Sequence, residues 1–165
     1  MDIRVKKIIL FGILLTALSF LWITTGTTHN NSAPNFECIQ CHEGEGSSEV
    51  TIEGLPKKYV PDKTYKMTLV VKSDVESLGD NAGGFAIEAS AGELIPVDKE
   101  NTQLSDGILT HTKEGSALRK WVFGWKAPHE KKEITLSVMA VAVNGDFSVI
   151  GDLVGADGYT IMPGK

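Results

Sequence analysis

Residues 118–125 read L-R-K-W-V-F-G-W, and their period decides the fold class. Trp121, Phe123 and Trp125 alternate, so an extended chain turns all three to one face. The same period returns on either side of the stretch. Met67, Leu69 and Val71 share a face in Y-K-M-T-L-V-V-K, as do Phe85, Ile87 and Ala89 in G-F-A-I-E-A-S. E-V-T-I-E from Glu49, I-L-T-H-T at 108–112 and E-I-T-L-S-V-M-A-V-A-V at 133–143 are equally rich in β-branched and apolar residues. Turn chemistry separates them: V-P-D-K at 60–63, G-D-N-A-G-G at 79–84, S-D-G at 105–107, A-P-H at 127–129, N-G-D at 144–146 and G-A-D-G at 155–158. No segment after Gly26 carries a helical stripe. Six to eight strands with these turns predict an all-β, antiparallel, immunoglobulin-like sandwich over residues 49–165.

The chain has 165 residues, 42% of them apolar, and 2 cysteines. That length suits one domain and excludes a disulfide-stapled miniature scaffold. Charge divides unevenly. Arg4, Lys6 and Lys7 precede an uncharged apolar run at 8–23, the order of a secretory signal. Residues 1–26 are therefore expected to be a signal peptide or an N-terminal membrane anchor. The run falls slightly short of a comfortable span, and no clean A-x-A site follows it. Beyond Gly26 the acids outnumber Lys and Arg by about seven, and no basic stripe offers itself to phosphates. Nucleic acid is not an expected partner. The body is expected to be extracytoplasmic, at the cell surface, periplasmic or secreted.

Residues 27–48 form a polar linker that holds both cysteines in Cys38-Ile39-Gln40-Cys41-His42. C-x-x-C-H is the attachment pattern of c-type haem. Two thiols at this spacing meet the two vinyl groups of neighbouring pyrroles, and the adjacent histidine ligates the iron. Cys38, Cys41 and His42 are thus the expected sites for haem c, with His42 proximal. A disulfide or thioredoxin-like pair, and a zinc site, compete with that reading. The first normally opens a helix in a βαβ setting, and the second lacks a fourth ligand or a second C-x-x-C. The helices that usually wrap haem around this motif are absent, so the sandwich or its loops must shelter it.

For the distal position His111 is the leading candidate, because it sits in a strand on the side of Leu109. His129 lies in a charged loop and reads as a solvated residue. Met139 and Met67 read as core, Met162 is near the chain end, and the iron is alternatively five-coordinate. Trp121, Phe123 and Trp125 read as sandwich core, with a wall beside a porphyrin as the competing use.

The order of segments resembles the reelin-domain-like family of exported bacterial and archaeal proteins, also called the choice-of-anchor V domain. The likeness runs over about residues 36–162. It is carried by C-x-x-C-H, then G-L-P-K-K-Y-V-P-D-K-T-Y, G-G-F-A-I-E-A-S-A-G, L-T-H-T, W-V-F-G-W-K-A-P and I-T-L-S-V-M-A-V-A-V-N-G-D. The resemblance implies an immunoglobulin-like sandwich and a recurring cysteine-pair-histidine segment before it. It also matches the T-H-T histidine at His111. Relatives often continue into a C-terminal anchor, whereas this sequence stops at Lys165, so any anchor is expected at the N-terminus.

Two functions follow. One is an exported mono-haem c-type cytochrome that exchanges electrons with a redox partner protein, near the cell-envelope membrane if the N-terminal segment stays attached. The other is an extracellular binding or adhesion module with a structural Cys38–Cys41 disulfide. Catalysis is not expected: no Ser/His/Asp order, paired-carboxylate setting or phosphate loop is present.

Overall fold

The structure, a computed structural model, describes residues 38, 41, 42 and 44–165. Its strands form two sheets. The smaller contains β1 (Glu49–Glu53), β3 (Thr64–Lys72), β8 (Lys120–Lys126) and β5 (Glu93–Ile95), in that order across the sheet. The larger runs β2 (Lys58–Tyr59), β10 (Leu153–Pro163), β9 (Ile134–Ala142), β4 (Gly83–Ala89), β7 (Ile108–His111) and β6 (Thr102–Ser105). All pairings are antiparallel except the short one between β10 and β2. This is the all-β sandwich that the period predicts.

The alternating residues meet between the sheets. Trp121, Phe123 and Trp125 are buried from one side, and Ile134, Leu136, Val138 and Ala140 from the other. Each such apolar side chain contributes about 1.5–3 kcal/mol by leaving water. The indole N–H groups are satisfied as well: Trp121 donates to the Gly115 carbonyl at 2.8 Å and Trp125 to that of Ala91 at 3.0 Å. S-D-G makes the β6–β7 hairpin, with Asp106 at φ 50° and Gly107 at φ 85°, the left-handed pair that a two-residue connection requires.

Two expectations are corrected. G-A-D-G at 155–158 is no turn: it lies inside β10, which pairs with β9 from Leu153 to Ile161. Cooperative pairing along a long neighbour overrides local turn preference. Gly155 is needed there for a different reason, because a Cβ would overlap the Ser48 carbonyl as the chain enters β1. Met139 is not core. The buried parity of β9 belongs to Ile134, Leu136, Val138 and Ala140, so Met139 faces outward beside Ala86 of β4. Met67 is core, as expected.

The expected signal or anchor at 1–26 lies outside the described residues. Among the described residues no helix is long and apolar enough to cross a membrane.

Candidate functional site

Cys38, Cys41 and His42 form one turn against the outer face of the larger sheet. The N–H groups of Cys41 and His42 both donate to the Cys38 carbonyl, at 3.3 and 3.1 Å. An i, i+3 spacing on such a turn brings the two sulfur-bearing residues to the same side. The Cys38 N–H donates to Met139 Sδ at 3.1 Å, so the outward methionine is the surface on which the turn rests. Both cysteines are free. Burial, with the neighbouring Cys41 adding to it, pushes the Cys38 thiol up to about 11. A redox-active C-x-x-C pair needs the opposite, a thiol lowered toward thiolate.

His42 is tied to the sandwich by Asp152. Its Nδ1 lies 2.6 Å from Asp152 Oδ2, and the carboxylate is 1% exposed. The other oxygen, Oδ1, accepts the Asn144 N–H at 3.0 Å. A carboxylate acceptor places a proton on His42 Nδ1, so in the neutral ring the lone pair falls on Nε2. An imidazole held at one nitrogen by a carboxylate, with the other free, is the arrangement of a metal-ligating histidine. Gly44 makes the approach feasible: a Cβ there would overlap the Asp152 carbonyl. Asp152 and Gly44 were not marked by any local motif. Asp152 lies 110 residues from His42, and only its position after an N-G-D turn brings it near.

His111 takes another place. Its ring replaces the backbone pairing where β7 leaves β4, with Nδ1 accepting the Phe85 N–H at 3.2 Å and lying 3.2 Å from Thr110 Oγ1. Burial lowers its pKa. A Cβ at Gly84 would lie 2.7 Å from the ring, so the glycine makes room for it. His129 is exposed, and its bond to Asp62, at 2.7 Å, raises its pKa. Among the described residues, no three of His, Cys, Asp and Glu converge as a group able to hold a bare metal ion.

The sequence matches no protein-family model and no curated protein. Solved structures do match. The human F-spondin reeler domain (fragment 1) superposes with a TM-score of 0.53 at 18% identity, over 74% of this chain and 93% of that one. The Reelin-N domain of F-spondin gives a TM-score of 0.51 at 18% identity, over 75% and 91%. At that identity the likeness is one of fold: the chain has a reeler-type β-sandwich.

Proposed function

We propose that this sandwich carries c-type haem on the outer face of its larger sheet and serves as an exported one-electron carrier. The observation that supports this reading most is the pair His42–Asp152, which engages Nδ1 rather than Nε2 in the same turn as two free cysteines. The donor set fits the group. Cys38 and Cys41 would hold haem by adding S–H across its two vinyl C=C bonds, sulfur to one carbon and hydrogen to the other, which needs no external oxidant. When bound, haem supplies an Fe(III)/Fe(II) couple whose potential depends on axial ligands and burial. The remaining work belongs to the chain. Asp152 orients the His42 ring and fixes its tautomer. Met139 and Gly44 let the attachment turn lie flat against the sheet.

His111 is proposed as the sixth ligand under one requirement. With Nδ1 accepting from Phe85, its proton sits on Nε2. Ligation through Nε2 needs that proton moved to Nδ1 and the Phe85 bond exchanged for one to Thr110 Oγ1. A low-spin spectrum that turns high-spin in His111→Ala assigns the position to His111. An unchanged spectrum leaves His42 as the axial ligand.

The reeler-type fold favours a second reading, an extracellular binding module in which Cys38 and Cys41 form a structural disulfide. Expression with a c-haem maturation system separates the two. A pyridine haemochrome spectrum on acid-acetone-extracted protein supports the electron carrier. Colourless protein with the mass of an intramolecular disulfide supports the binding module and excludes haem.

A further inference from the structure

We infer that the loop joining β9 to β10, residues 143–152, together with Leu78 beside it, is the apolar wall against which the porphyrin lies; the inference rests on the haem reading above. The loop presents its large apolar side chains to solvent. Phe147 is 93% exposed, Ile150 70% and Leu78 82%. Clustered exposure of this kind marks a binding surface more often than a lone apolar residue does.

The loop is also rigidly prepared. Asn144 Nδ2 donates to the Ile150 carbonyl, Asp146 N–H to Asn144 Oδ1, Ser148 N–H to Asp146 Oδ1 and Ile150 N–H to Ser148 Oγ, all between 2.7 and 3.1 Å. Polar side chains serve the backbone, and apolar ones are left facing out. Leu78 joins the surface because its N–H donates to the Asn144 carbonyl at 2.7 Å. Arg119 pins the bases of both loops through the carbonyls of Val75, Ala82 and Val143. Phe147 holds φ at 63°, a conformation unfavourable for an aromatic residue, with no burial of its ring to offset the cost.

Position selects the occupant. The loop closes at Asp152, the residue that holds His42. Ile150 precedes it by two residues, about 7 Å of chain. A flat apolar ring ligated by His42 is thus anchored at the base of this surface, and burial of its face there would exclude water from the iron.

The test uses full-length protein with haem attached, its Cys38→Ser/Cys41→Ser counterpart, a Phe147→Ser/Ile150→Ser variant and a control, Val97→Ser, at an exposed apolar residue beside Gly124 of β8 in the other sheet. Haem attachment is expected to slow amide exchange over 145–151 by roughly tenfold or more relative to the cysteine-free protein. Phe147→Ser/Ile150→Ser is expected to retain covalent haem but to shift the reduction potential negative, because water reaches and stabilises the ferric charge. Val97→Ser should leave the potential in place. Wild-type protein that carries haem yet shows unaltered exchange in the loop, with an unmoved potential in the double variant, overturns the wall alone. Protection of the loop that depends on protein concentration instead of haem assigns it to a second copy and also overturns the wall. Wild-type protein without covalent haem overturns both the wall and the reading on which it rests.

Discussion

Asp152 joins two otherwise separate parts of the molecule through its two oxygens: the neck of the β9–β10 loop at Asn144 and the attachment turn at His42. Removing both acceptors leaves the half-buried N–H groups of Asn144 and His42 without their partner, so Asp152→Ala should lower stability by about 1–3 kcal/mol in urea unfolding at pH 7. Asp152→Asn can present an amide N–H to His42. The proton then moves to Nε2, and the ¹⁵N shifts of the ring, read in the Cys38→Ser/Cys41→Ser background, should report the exchanged tautomer. Unchanged shifts would mean that Asp152 does not set it. Gly44→Ala tests the same contact from the backbone. Its Cβ cannot coexist with the Asp152 carbonyl, so the His42–Asp152 bond should be lost while the strands persist. His42 was legible because its neighbours in sequence are its chemical partners. Asp152 and Gly44 were not, since their roles arise from an approach made in space.

At the level of elements, the junction of β4 and β7 depends on the protonation of one side chain. His111 must be neutral at Nδ1 to accept from Phe85, and burial holds its pKa below 6.5. Its contribution is therefore complete above about pH 6.5, where the unfolded chain is also neutral, and is lost as pH falls through the lowered folded value. The urea midpoint of the wild type should fall across that window, whereas His111→Gln, an acceptor that does not titrate, should show a flatter profile. Parallel profiles would remove the junction from the acid response. His129 shifts the other way, but it is exposed and its pair with Asp62 is screened. The strands with strict alternation were readable because their parity follows from burial on one face. β10 was not: its glycines look like a turn until nine partners on β9 and the passage of Ser48 are known.

Across the whole molecule, stability and the candidate site draw on different residues. The core between the sheets contains neither cysteine. Cys38→Ser/Cys41→Ser should keep the β-dominated circular dichroism of the haem-free wild type and melt within a few degrees of it; a collapse of the spectrum would show that the attachment turn is part of the folding core. Trp125→Ala should do the reverse. It opens a cavity beneath Tyr59 and Tyr65, whose rings lie 5.7 and 6.0 Å from the indole, and should cost about 3–5 kcal/mol by denaturant titration.

The sequence by itself determined the sandwich, the strand parity of its aromatic stripe and the C-x-x-C-H spacing, because each depends on neighbours within a few residues. Tertiary structure decided what surrounds that motif. It turned Met139 outward under Cys38, drew His111 into the gap between β4 and β7, and set Asp152 against His42. These outcomes depend on which strands lie side by side and how closely two backbones approach, and no local pattern of residue types encodes either.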